Sequence, residues 1–295
     1  MSEKLILDTD IGSDVDDAWA LALCLASPEV DLLGITLVHA DLDVRAKIAL
    51  KILKLTNRQN IPVYKGISQP LTPDQPCHWA GFEGTNTDFS DIDESAARDG
   101  AVDFILDMVK KYPGEVVISP IGPLTNIAGA IRRDPETMRK VKRLAIMGST
   151  YTGDGPEHAE PEHNIRCDSL AANIVLESGI PVTLVGLNVT SKVVIRREEL
   201  SAIKSNSFGD YLAAMTEQIF ELWHREATNM HDPLAVATQI DPSLFKTRKM
   251  RAEVLEEGRV ALTSDNNGWI DVCVDVDAGG FEKLLLSRVT ALATS

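Results

Sequence analysis

Five aspartates, Asp8, Asp10, Asp14, Asp16 and Asp17, fall inside ten consecutive residues near the start of this 295-residue chain. Like charges at that density repel, so something must hold them together. Asp8 and Asp10 are two apart, which in extended chain turns both side chains to one face. Asp16 and Asp17 are adjacent where a helix pattern begins, so they point about 100° apart. One of the pair can therefore face a metal while the other reaches a substrate. Carboxylate oxygens are hard donors that select Ca²⁺ or Mg²⁺.

Several known acidic patterns do not fit. An EF-hand loop counted from Asp8 needs Gly and Glu where Ser13 and Trp19 stand. A phosphate-binding Gly loop with its Lys is absent. Asp-x-Asp phosphatases of the haloacid dehalogenase type carry Thr or Val where Gly12 stands. Helix capping and turn formation are the plain alternative for such aspartates, and the density of charge argues against it.

The elements that must position these carboxylates are legible. An apolar run over residues 5–7 reads as a strand, and Ala18, Leu21, Ala22 and Leu25 repeat at helical spacing. Ligands of open α/β sheets bind outside the carboxyl ends of the strands, which is where Asp8 and Asp10 should lie. The alternation continues with strands expected at 31–38, 62–64, 115–119, 143–147 and 182–185. Helices are expected at 43–57, 100–112, 127–133, 168–178, in pieces over 198–223, at 235–239 and at 281–292. Residues 66–95 interrupt the rhythm with Pro70, Pro73 and Pro76, either a functional loop or a plain surface one. Residues 251–277 read as antiparallel strands around the turn Asp265-Asn266-Asn267-Gly268. The expectation is a Rossmann-like α/β fold, a mostly parallel central sheet flanked by helices, with a small antiparallel extension near the C-terminus. No repeat or linker divides the chain, so one domain over residues 1–295 is expected.

Composition narrows the partners. The formal net charge of −15 argues against nucleic acid and anionic membrane. Cys24, Cys77, Cys167 and Cys273 lack paired spacing and read as reduced thiols of a cytoplasmic protein. The first residues lead straight into a strand without a signal-peptide pattern, and no apolar run is long enough to span a membrane.

The acidic stretch resembles the opening Asp-x-Asp-Pro-Gly-x-Asp-Asp-Ala motif of the nucleoside hydrolase family. Ile11 stands in place of the Pro, and the run from Gly12 to Asp16-Asp17 is two residues longer, leaving Asp14 as an extra carboxylate. Three later segments resemble the same family: Pro123-Leu124-Thr125-Asn126-Ile127-Ala128, Glu162-His163-Asn164 followed by Asp168 and Ala171-Ala172, and His231-Asp232-Pro233-Leu234-Ala235-Val236. A single tetrapeptide would be weak; four in order across about 230 residues are specific.

The resemblance implies hydrolysis of the N-glycosidic bond of ribonucleosides through an oxocarbenium-like transition state. It implies a Ca²⁺ ion held by Asp10, Asp17, the Thr125 carbonyl and Asp232, with Asp10 as general base on the attacking water. Asp16, Glu162 and Asn164 would grip the ribose, and His231 would face the departing base. The family often has Asn where Asp41 falls, near the metal-bound water. Its Gly-His-Glu-Gly-like loop reads Gly81-Phe82-Glu83-Gly84 here, which leaves Phe82, His78 and Trp79 as candidates beside the base. Trp223 is either a stacking residue or a core Trp. Relatives are commonly dimers or tetramers, so a homodimer or homotetramer is expected. Two readings compete: a Mg²⁺-dependent phosphohydrolase using the same strand end, and a non-catalytic nucleoside or ribose binder.

Overall fold

In the computed structural model, which describes residues 2–294, the apolar N-terminal run is strand β1 (Glu3–Thr9) and the helix after it is α1 (Asp16–Ala26). The chain continues through β2 (Val30–Leu37), α2 (Leu42–Leu55), β3 (Val63–Lys65), β4 (Ala97–Asp99), α3 (Ala101–Lys111), β5 (Val116–Pro120), α4 (Thr125–Arg133), α5 (Pro135–Met138) and β6 (Arg143–Met147). It then forms α6 (His163–Cys167), α7 (Ser169–Leu176), β7 (Val182–Val185), α8 (Leu187–Thr190), β8 (Val194–Arg196), α9 (Ser207–Leu222), β9 (Ala227–Asn229) and α10 (His231–Ala237). Strands β10 (Phe245–Val254), β11 (Val260–Ser264) and β12 (Ile270–Val276) precede the last helix, α11 (Ala278–Thr294).

Ten strands form one sheet in the order β11-β10-β12-β7-β6-β5-β1-β2-β3-β4. β1 to β7 and β12 pair in parallel, and β10 runs antiparallel to both β11 and β12. The strand order reverses between β1 and β5, the switch point at which open α/β sheets bind ligands. Alternation along β1 feeds both faces. Leu5 and Leu7 pack with α1, α2, α9, α10 and α11, while Ile6 packs with α3, α4 and α7. Helices on both faces explain why the run Leu5 to Leu7 in β1 is apolar without alternation.

Two details differ from the sequence reading. The turn at Asp265 to Gly268 does not close a hairpin, because β11 and β12 lie on opposite edges of β10. A small second sheet pairs β8 with β9, three residues each, too short to show a period. Among the described residues no helix is long and apolar enough to cross a membrane. The four cysteines are free thiols.

Candidate active site

β1 ends at Thr9, so the two strand-end aspartates part ways. Asp8 still belongs to the sheet and is fully buried. Its Oδ1 accepts hydrogen bonds from the Thr36 hydroxyl at 2.5 Å and from Asn126 Nδ2 at 2.8 Å. Burial pushes its carboxyl up to about 7. Asp8 therefore ties β1 to β2 and α4, and Asn126 extends the tie by accepting the Ile67 N–H. Asp10, one step beyond the strand, turns into a cavity of about 300 Å³ at the switch point. A Cβ on Gly122, in the turn after β5, would lie 2.5 Å from Asp10 Oδ1, so only glycine lets this turn pass so close.

Two helix starts deliver the other carboxylates. Asp16 and Asp17 open α1, and Asp232 lies in the first turn of α10, which packs against α1. Oxygens of Asp16, Asp17 and Asp232 lie within 4.8 Å of one another, and all three residues are buried. Burial first, then repulsion from neighbouring aspartates, Asp10 and Asp14 among them, holds these three carboxyls well above the usual carboxylate range. Helix N-termini and two donors relieve part of this: the Thr9 hydroxyl donates to Asp17, and the Asp232 N–H donates to Asp16 Oδ2 at 3.3 Å. An all-oxygen, buried and mutually repelling set of this kind fits a hard divalent cation.

Around this cluster the cavity wall carries groups suited to a sugar and a base. Asn164 lines it, and its Nδ2 donates to the Ile121 carbonyl at 2.8 Å. Glu162 lies behind the wall as the N-cap of α6. It accepts the N–H groups of Asn164, Ile165 and Ser149, and burial raises its carboxyl to about 7. His231 also lines the cavity, with Nδ1 2.7 Å from the Thr190 hydroxyl. Burial and the nearby Arg225 push its imidazole down to about 4, so it is neutral at pH 7. Trp223 caps the C-terminus of α9 at the cavity mouth, 37% exposed and stacked by Arg225, so it is not a core residue.

The segment over 66–95 supplies His78, whose ring meets His163 edge-on at 5.0 Å inside the cavity. Trp79 lies outside the wall, under the guanidinium of Arg45 at 5.3 Å. Phe82 faces a separate small cleft beside α9. Glu83 latches the segment down, accepting from the Ser13 hydroxyl and from the N–H groups of Ala80 and Gly81.

Besides Glu162, Trp79 and Phe82, two more of the expected residues, Asp41 and Thr125, stand off the cavity wall. Asp41 is exposed and caps α2 by accepting the N–H groups of Asp43 and Val44. Its neighbour His39 takes the inward position instead, buried, with Nε2 accepting the His78 N–H at 3.0 Å. Thr125 lies behind the wall, its hydroxyl bound to Asp168 at 2.8 Å. No residue of the segment Pro123 to Ala128 lines the cavity; Ile121, just before it at the carboxyl end of β5, does. Its position beside β1 at the switch point was the available signal. Asp14, the extra carboxylate, also lines the cavity, and burial raises it to about 6. His163 lines it where the family motif has Phe. Arg45 carried no sequence signal, because an Arg within an amphipathic helix reads as a solvated group.

Fold and cavity together define an α/β protein with an acidic, cation-ready strand end at its switch point. The family model for inosine-uridine preferring nucleoside hydrolase matches residues 5–283, and the chain belongs to that family. It is a ribonucleoside hydrolase, an enzyme that cleaves nucleosides to ribose and free base. The pyrimidine-specific ribonucleoside hydrolase RihB of Escherichia coli is 32% identical over 85% of this chain and 82% of its own. A plant nucleoside hydrolase superposes with a TM-score of 0.86 at 29% identity, covering 99% of this chain and 100% of its own. A purine-preferring ribonucleoside hydrolase from Gardnerella vaginalis superposes at 0.80 and 31% identity, covering 99% of both chains. The family assignment sets aside the phosphohydrolase and the non-catalytic binder.

Proposed function

We propose that this hydrolase depends on calcium, with Asp10, Asp17 and Asp232 as its carboxylate ligands. The observation that carries this reading is the buried set of Asp16, Asp17 and Asp232, whose oxygens approach within 4.8 Å with Asp10 on the same cavity wall. The Ile121 carbonyl, on that wall, is a better placed backbone donor than Thr125. It already accepts from Asn164, and a carbonyl oxygen has a second lone pair. Calcium bound here would supply fixed positive charge against the ribose diol and the attacking water.

The chain's own residues do the rest. Asp10 takes the proton from the water. Asp16 has Oδ2 engaged by the Asp232 N–H, which leaves Oδ1 for the ribose diol. Asn164, fixed by its bond to Ile121 and backed by the Glu162 cap, orients the sugar, turning binding energy into alignment. With the Thr190 hydroxyl as donor in its contact with His231 Nδ1, the imidazole proton would sit on Nε2, a neutral donor for the departing base. The same proposal places the activity on one domain, in a homodimer or homotetramer, in the cytoplasm. Reducing-sugar release from inosine, adenosine, guanosine, uridine and cytidine tests it. Calcium-supported ribose release from at least one of them is expected, and release from none overturns the reading.

A further inference from the structure

Arg45 is fully buried in α2, yet it belongs to no ion pair within hydrogen-bonding distance. Its Nε donates to the His39 carbonyl at 2.7 Å and its Nη1 to the Ile11 carbonyl at 3.0 Å. The third nitrogen, Nη2, has no hydrogen-bond partner and lies 3.9 Å from Asp10 Oδ2. The other face of the guanidinium packs on Trp79 of the 66–95 segment. A rigid planar fork thus fixes three things at once: the carbonyl immediately after Asp10, the Asp10 carboxylate itself, and the left-handed turn at His39 and Ala40 (φ 68° and 57°). That turn is unfavourable for side chains larger than glycine and needs such a clamp. His39 in turn receives the His78 N–H, so the clamp reaches the cavity wall.

The distance matters. At 3.9 Å the pair attracts strongly in a buried setting but makes no hydrogen bond. Asp10 is aimed without having an oxygen occupied. The cavity wall carries five aspartates and, among the described residues, no lysine or arginine, so Arg45 behind it is a fixed counter-charge.

We propose that Arg45 is a positioning residue, which aims Asp10 and limits how tightly the carboxylate cluster binds a cation. The proposal rests on the calcium-dependent reading above. The test uses the full chain with Arg45→Met and Arg45→Lys, reading calcium affinity by calorimetry and kcat and KM on the best ribonucleoside. Arg45→Met removes the counter-charge, so calcium should bind about tenfold tighter while kcat falls about 100-fold and KM stays within about threefold. Arg45→Lys keeps the charge but not the fork, so calcium affinity should stay within about threefold of wild type and kcat should recover to about a tenth of it. Calcium affinity and kcat falling together in Arg45→Met would make Arg45 a packing residue and overturn the proposal, as would unchanged kcat. If Arg45→Met does not fold, Arg45→Lys decides: unchanged kcat, or calcium affinity lost by more than about tenfold, overturns it. A wild-type chain that binds calcium but releases no ribose would overturn the proposed function instead, and the calcium titrations would still judge the counter-charge.

Discussion

Asn164 Nδ2 donates to the carbonyl of Ile121 at 2.8 Å, joining the first turn of α6 to the end of β5 across the cavity floor. The bond fixes the amide in one orientation, with its two hydrogens toward protein and its oxygen available to a sugar hydroxyl. A site built on such a fixed hydrogen bond discriminates sharply against a ligand that lacks the hydroxyl.

That discrimination is the first prediction. If Asp16 and Asn164 grip the diol as proposed, 2′-deoxynucleosides should be turned over slower than ribonucleosides by about 10⁴-fold. Asn164→Ala should lose ribonucleoside activity much more than deoxynucleoside activity, narrowing the gap. Comparable kcat/KM for uridine and deoxyuridine in the wild type would remove these residues from the sugar.

A second prediction concerns the metal-free protein. Burial raises Asp8 from 3.8 and Glu162 from 4.5, each to about 7. Between those limits the folded state holds protons that the unfolded chain has lost, so stability falls as pH rises. Their contribution is fully present below about pH 4 and gone above about pH 7. Thermal midpoints measured in chelator should therefore be higher at pH 5.5 than at pH 8. If calcium binds the ionised cluster as proposed, it should raise the midpoint most at the higher pH. A chelated protein more stable at pH 8 than at pH 5.5 would contradict the burial argument.

The acidic motif was readable because residue type and spacing alone place it at a strand end. What sequence could not show was where the strand stops. Alternation put Asp8 and Asp10 on one face, but β1 ends at Thr9, so Asp8 became a buried tie and Asp10 a cavity residue. Likewise, a motif carries identity but not direction: no residue from Pro123 to Ala128 lines the cavity, and Ile121, four residues before Thr125, does. Asp41 was expected near the site because the family resemblance puts Asn there, yet the left-handed turn at His39 and Ala40 swings it out to cap α2. The turn signal at Asp265 to Gly268 was real, but only the folded sheet order reveals that β10 lies between the strands it joins.

The third prediction isolates the leaving group. His231 is neutral at pH 7 and lies beside the Thr190 hydroxyl, so in the proposed reaction it would assist as a hydrogen-bond donor and not as an imidazolium. Proton donation in the transition state typically contributes roughly 10²–10⁴-fold. A nucleobase leaves poorly and needs it; a nitrophenolate does not. His231→Ala should therefore depress hydrolysis of natural nucleosides far more than of p-nitrophenyl riboside. Equal losses for the two substrates would assign His231 to the sugar or to the carboxylate cluster, and His78 would become the candidate donor.

The most direct test of the account is ribose release before and after removal of the metal. Wild-type protein dialysed exhaustively against chelator, and verified metal-free by elemental analysis, should release no reducing sugar from its preferred ribonucleoside. Added calcium should restore release, and should fail to do so in Asp232→Ala, which takes one carboxylate from the buried cluster. Full turnover by verified metal-free protein would contradict the central claim that Asp10, Asp17 and Asp232 act by holding a cation.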